Sequence, residues 1–272
     1  MLFEHVPWNL SSKRHLFAEK ESFIVSIPKS GRTWLRVLLH EYYSRVLGSS
    51  EPLNSKDRYS DGRPRYHFTH DRYEHLTLAN PVHRMTGRYL IPPQSRRSGK
   101  ILLLARDPRD VMVSLYFQNT RRVKEKQAFH GDISSMLGDP LLGVDTVIRT
   151  MNGWLREWSD REEGFLLSRY EDWQADPNRS FGEIIRFLSG AEADPASLQQ
   201  AVEESSFDKM QARERQTAEG PRALKPGDKD DPESFKARKG KVGGYHEYLS
   251  RDDVARIEKA MLSLDSRFGY AP

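Results

Sequence analysis

"FIVSIPKSGRTW", residues Phe23–Trp34, sets an apolar run against a Pro-Lys-Ser-Gly-Arg-Thr turn. After the turn, Leu35, Leu38, Leu39, Tyr42 and Val46 recur at helical spacing, with Arg36, His40, Glu41 and Arg45 on the other side. The stretch therefore reads as a buried strand, a polar turn and an amphipathic helix. Such a turn points several backbone N–H groups at one spot, where the helix dipole adds partial positive charge; phosphate or sulfate fits that spot. Gly31 lets the backbone approach an anion closely, Ser30 and Thr33 offer hydroxyl donors, and Lys29 supplies a full positive charge. On its own the turn is equally compatible with an ordinary polar connection of an α/β protein.

The same order recurs along the chain. "ILLLA" at 101–105 ends in "RDPRD" and passes into the helical run "DVMVSLYFQ". A third strand, "GFLLSRY" at 164–170, follows a helix whose Val147, Ile148, Met151, Trp154, Leu155 and Trp158 share one face. "SFGEIIRFLSG" predicts a short helix closing at Gly190, and a last helix runs from Asp252 to about Leu264 with Ser250 or Asp252 at its start. Strands separated by helices predict an α/β fold: a doubly wound parallel sheet with helices on both faces and a phosphate-binding turn. Residues 48–66 read as a surface loop. Residues 211–241, charged and with three prolines, read as a mobile lid within a single domain spanning residues 1–272.

Bulk properties narrow the function. With 272 residues and 37% hydrophobic content the chain can bury one sizeable core. Having no cysteine, it has no disulfide, Cys-ligated zinc, iron–sulfur cluster or thiol nucleophile. The N-terminal "MLFEHVPWNLSSKRHLF" has no apolar core of the secretory kind, and no run approaches membrane-spanning length, so a cytoplasmic setting is expected. A net charge of +4 points to an anionic ligand.

Two alternatives follow from these features. A nucleotide kinase would place magnesium on Asp107 after the second strand, but its loop needs G-x-x-x-x-G-K-[ST], and here the lysine precedes a single glycine. A nucleic-acid binder is suggested by "KARKGK" at 236–241, yet the acidic "GDKDDPE" immediately upstream argues against a basic arm, and nucleic acid is not expected as a partner.

Three motifs in order carry a sharper signal. "PKSGRTW" at 28–34, "ARDPRDVMVSLYF" at 105–117 and "RKGKVGG" at 238–244 together resemble the sulfotransferases that use 3′-phosphoadenosine 5′-phosphosulfate (PAPS). Their first loop reads close to Pro-Lys-Ser-Gly-Thr-Thr-Trp and differs here at Arg32. "SRYEDW" at 168–173 and "SSFDKM" at 205–210 add to the likeness. The resemblance implies transfer of SO₃ from PAPS to a hydroxyl or amine of a small-molecule, sugar or natural-product acceptor, leaving adenosine 3′,5′-bisphosphate (PAP), with no metal required. It implies that Lys29 stabilises the leaving phosphate, with Ser30, Gly31, Arg32, Thr33 and Trp34 around the donor. Arg106, Ser114, Arg238, Lys239 and Gly240 would hold its 3′-phosphate, Tyr170 and Phe207 would lie near the adenine, and Ser114 would also touch the loop lysine.

A base is also wanted. In "RYHFTHDRYEHL" the Phe-Thr-His of 68–70 resembles the family's Lys-Thr-His at a strand end, so His70 is expected to take the acceptor's proton. The family's Leu-Pro after that histidine is replaced by Asp71 and Arg72. For Arg32 three places stay open: on the sulfate, on a carboxylate, or in solvent. The animal members' short C-terminal dimer motif is not reproduced in "GYHEYLSRDDV" at 244–254, which leaves the oligomeric state open.

Overall fold

Every residue of strand β1 (Ser22–Ser26) is buried, as a strand covered on both faces requires. The computed structural model describes residues 20–54, 56–122, 129–161, 163–216, 228 and 231–272. From β1 the chain runs through helix α1 (Arg32–Val46) to β2 (Tyr66–Thr69), then α2 (Asp71–Leu78), α3 (Pro81–Thr86) and α4 (Pro93–Ser98) to β3 (Lys100–Ala105). Helices α5 (Pro108–Arg121), α6 (Ile133–Leu137) and α7 (Val144–Trp158) lead to β4 (Phe165–Arg169). After it come α8 (Tyr170–Ala175), α9 (Pro177–Ser189), α10 (Pro195–Glu204), α11 (Phe207–Gln216) and α12 (Arg251–Met261).

The four strands pair in the order β2-β1-β3-β4. All are parallel, with Ile24 opposite Phe68 on one side and Leu102 on the other. Because side chains alternate along a strand, one sheet supplies two cores. Phe23, Val25, Ile101 and Leu103 pack with Val111, Val147, Trp154 and Ile257 on one face. Ile24, Leu102 and Leu104 pack with Leu35, Leu38, Phe181 and Ile184 on the other. The strand order reverses direction between β1 and β3, so their carboxyl ends open a crevice at a topological switch point, where ligands of such sheets bind. The turn after Ser26 and the "RDPRD" turn both start there.

Local chemistry sets the boundaries. Asp107, Asp176 and Asp194 each cap a helix that begins with proline, accepting from Arg109, Arg179 and Ser197 amides respectively. Gly190 closes α9 in a left-handed conformation at φ 77°. Of the two expected caps for the last helix, Ser250 serves, in a reciprocal capping box with Asp253.

The structure departs from the sequence reading at several places. The third strand stops at Arg169, and Tyr170 already begins a helix. Tyr66, assigned to the 48–66 loop, is the first residue of the edge strand β2. In the 211–241 segment, residues 211–216 are the end of α11, because Met210 and Glu214 bury one face of it. Residues 217–227 and 229–230 of that segment, like the N-terminal stretch 1–19, lie outside the described residues. Arg36, expected on the solvent side of α1, is 8% exposed, since Asp57 pairs with it at 2.9 Å.

Candidate functional site

The crevice is a cavity of about 410 Å³ lined by both turns, α5, α8, α11 and residues 236–241. Lys29 sits at φ 75° and Gly31 at φ 86°, two left-handed residues either side of Ser30, in the kind of backbone that forms anion-binding concavities. Gly31 has a further reason to be glycine: a Cβ there would lie 2.6 Å from Trp173 and 2.8 Å from Tyr170. Gly240, at φ 62°, is matched from the opposite wall, where a Cβ would meet the Phe207 ring at 2.6 Å. At both places an aromatic ring of the lining packs directly against backbone, which only glycine allows.

Arg106 organises the space between them. Its guanidinium donates to the Lys29 carbonyl at 3.1 Å, to the Lys241 carbonyl at 3.0 Å and to Ser114 Oγ at 3.5 Å. It also lies 4.4 Å over the Tyr170 ring and 3.7 Å from Asp110. Asp110 in turn accepts from the Gly243 and Tyr245 amides, fixing the glycine-rich end. The Tyr170 hydroxyl donates to the Gly240 carbonyl at 3.0 Å, and Gln174 does the same. Arg238 donates to Glu233 at 2.9 Å and to the Tyr248 hydroxyl at 2.8 Å. Lys239 pairs with Glu247 at 2.6 Å.

Lys29 is different. Burial first, then the guanidiniums of Arg122, Arg106 and Arg238, bring its ammonium down from 10.5 to about 7. Arg32 is pushed down to about 10 by burial and by Arg36, against the pull of Glu74 and Asp57. His70 is buried at the end of β2, and its Nδ1 donates to the Ser26 carbonyl of β1 at 2.7 Å. A carbonyl only accepts, so this bond fixes the tautomer and leaves the lone pair on Nε2. Burial, then Arg32 and Arg36, hold the ring's pKa well below its ordinary value, so it is neutral at pH 7.

Lys29, Gly31, Arg32, Thr33, Trp34, His70, Arg106, Ser114, Tyr170, Phe207, Arg238, Lys239 and Gly240 all line this one cavity. Ser30 does not: it is 1% exposed, and its hydroxyl has no hydrogen-bond partner among the described residues. Among the described residues Ser114 bonds to Arg106 and makes no hydrogen bond with Lys29. Trp34 meets Tyr170 and Trp173 edge-on, and its buried Nε1 has no hydrogen-bond partner among the described residues. Asp107, the magnesium candidate of the kinase reading, is outside the lining, occupied as a cap and by Arg109 at 2.7 Å. His67 faces Asp57 at 3.6 Å, and no cluster of metal ligands occurs among the described residues.

Sequence reasoning missed several contributors. Arg122 and Lys236 line the cavity, and fully buried Glu214 accepts from the Lys236 and Ala237 amides at 2.7 and 3.0 Å while lying 3.6 Å from Arg122. Arg122 had a readable signal: Asp110, Ser114 and Gln118 recur every fourth residue along α5, and Arg106 and Arg122 continue that spacing just before and just after it. Glu214 had none, because its partners are backbone amides brought near by the fold. Asp71 explains the departure after His70. It accepts from the Ile91 amide at 2.7 Å and from Trp154 Nε1 at 3.0 Å, so it anchors the base's strand end to the core instead of lining the pocket.

Comparison with known proteins adds to this geometry. Residues 19–268 match the family described as "Sulfotransferase domain". The chain is 25% identical to cytosolic sulfotransferase 16 of Arabidopsis thaliana, the alignment covering 91% of this chain and 77% of that protein. It is 23% identical to flavonol 3-sulfotransferase of Flaveria bidentis, covering 91% and 81%. Among solved structures it is similar in fold to mouse sulfotransferase SULT7A1 complexed with PAP, with a TM-score of 0.63, 20% identity and coverage of 90% and 83%.

Proposed function

Because the chain belongs to the sulfotransferase family, we propose that it moves a sulfuryl group from PAPS to a hydroxyl or amine of a small-molecule acceptor, with His70 as base and Lys29 stabilising the leaving phosphate. The observation that carries the reading is the content of one cavity: the 29–33 turn with Lys29, the guanidiniums of Arg106 and Arg238, and a neutral histidine whose Nε2 keeps its lone pair. The bisphosphate fits this space. Gly31 and Gly240 let the Trp173, Tyr170 and Phe207 rings of the lining pack directly on backbone, and the buried Trp34 Nε1, without a hydrogen-bond partner among the described residues, can donate to an acceptor such as a ring nitrogen of adenine.

The donor supplies the SO₃ group. Its bond to the 5′-phosphate breaks with the electron pair left on that phosphate, a new S–O or S–N bond forms to the acceptor, and the acceptor's proton goes to His70 Nε2. Positioning and charge neutralisation therefore do the catalysis, as in phosphoryl transfer. Lys29, protonated, meets the charge that builds on the bridging oxygen, and the loop amides and Thr33 share that work. Arg106 and Arg238 suit the 3′-phosphate because a planar guanidinium binds two oxygens at once. The hydrogen bond from Nδ1 to the Ser26 carbonyl keeps the imidazole oriented while it works.

Calorimetric titration with PAP tests the donor, and labelled-sulfate transfer to a panel of phenols, sugars and lipids tests the reaction. Binding of PAP without need of magnesium is expected. Silence with PAP, together with heat from ATP and magnesium, sinks the proposal and restores the kinase.

A further inference from the structure

Arg32 begins α1, and Arg36 lies one turn further along the same face. Arg36 sits 4.3 Å over the Phe68 ring of β2 and pairs with Asp57, whose other carboxylate oxygen takes the Phe68 amide at 3.1 Å. Helical spacing thus carries Arg32 one turn closer to the strand ends, beside His70, which follows β2. Both line the cavity. The electrostatics agree: Arg32 is the strongest charge acting on His70, while the charges acting on Lys29 are Arg122, Arg106, Arg238 and Glu214. Arg32 belongs to the base's end of the cavity.

The cations around the cavity are not all balanced alike. Arg36, Arg106, Arg238 and Lys239 each have a carboxylate within 4 Å. Arg32 has no ion pair among the described residues, and Asp110 is the one acidic residue of the cavity lining. In the proposed reaction the donor's anions are met by Lys29 with the loop amides, and by Arg106 with Arg238. A partly buried guanidinium beside the base is left over, and its planar fork matches carboxylates, phosphates and sulfates.

Resting on the sulfotransferase reading above, we propose that the acceptor carries an anionic group of its own, a carboxylate or a phosphate or sulfate ester, close to the hydroxyl that is sulfated, and that Arg32 binds it. The hydroxyl then faces His70 on one side and the sulfuryl group on the other, held by a charged contact on its own skeleton. Threonine at this place, as in the loop this one resembles, offers no such charge.

The test is calorimetry on the full chain saturated with PAP, using two matched pairs of probes: 2-hydroxybenzoate against 2-methylphenol, and methyl glucuronide against methyl glucoside. In at least one pair the acid should bind about tenfold tighter or more, the worth of one charge-assisted contact. Arg32→Thr should erase that ratio and Arg32→Lys should restore part of it, with circular dichroism confirming that both variants fold. Equal or weaker binding of the acid in both pairs overturns the proposal, and so does a preference that survives in Arg32→Thr. If Arg32→Thr instead weakens PAP about tenfold and leaves the ratio alone, the arginine serves the donor; the proposal then fails while the sulfotransferase reading stands. Absence of PAP binding in the unaltered protein overturns both.

Discussion

Two cationic walls face each other across the cavity, and they are built on opposite principles. The turn at 29–33 is held by backbone: a buried strand leads in, a helix leads out, and Gly31 is wedged against Trp173 and Tyr170. Its ammonium, on Lys29, makes no ion pair among the described residues and is brought down to about 7. The segment at 236–241 is held by carboxylates instead. Glu214 takes two of its amides, Glu233 pairs with Arg238, and Glu247 pairs with both Lys239 and Lys241. A cation already balanced by an exposed carboxylate can trade that partner for a phosphate at little net change in charge. A desolvated, unbalanced one gains most where negative charge appears during reaction. The turn is therefore the place for rate and the segment the place for grip.

The largest effects should fall on the first wall and its neighbour. His70→Ala should lower kcat about 1,000-fold, within the usual range for a lost general base. Lys29→Ala should lower it by about 100- to 1,000-fold, with PAP affinity falling much less. Labelled-sulfate transfer at saturating donor measures both, and near-unaltered turnover in either variant ends the distinction between the walls. Next comes Glu214→Ala, which removes the carboxylate that the Lys236 and Ala237 amides donate to and that lies 3.6 Å from Arg122. At about 2 kcal/mol for such a loss, PAP should bind about 30-fold more weakly. Arg238→Ala should be milder, about tenfold in Kd with a smaller change in kcat, because Arg106 remains on the same phosphate. Should Arg238→Ala strike kcat harder than Kd, the division of labour is reversed.

How far the sequence anticipates this contrast depends on which forces fix each part. β1, β3 and their following helices were legible because burial on both faces writes a continuous apolar run, and the turn after β1 because glycine and lysine are chemically specific there. β2 was not legible from pattern: "YHFT" is four residues long at the sheet edge, with partly exposed His67 among buried neighbours. Within the first wall Ser30 lies outside the cavity lining, since a hydroxyl in a tight turn can point to the cavity or to the core and composition does not say which. The second wall was found as a motif, yet what supports it was not. Glu214 is drawn in from α11 and reads in the sequence as one charge among many in "QARERQ". Arg32 was visible as a departure from the loop it resembles; its side of the cavity became known only when β2 put His70 next to it.

The smallest signal is the one that separates the walls most cleanly. At pH 8 a lysine with a pKa of about 7 is protonated in about one molecule in ten. A bound phosphate beside it favours the charged form, so binding PAP should draw in about 0.9 proton at Lys29. Lys236, pushed down to about 8 chiefly by burial, adds at most about half a proton in the same direction. Calorimetry in two buffers of different ionisation enthalpy gives the total, and the work belongs at pH 8 because the phosphate itself titrates near pH 6. The sign is fixed: uptake on binding means affinity falls as pH rises from 7 to 9. Lys29→Ala should lose about 0.9 of the uptake, whereas Arg238→Ala should keep it while binding less tightly, because removing a guanidinium leaves burial as the main cause of the depressed ammonium. Equal uptake in the unaltered protein and in Lys29→Ala would mean that the turn's lysine is charged before the ligand arrives, and the two walls would then differ in architecture but not in electrostatics.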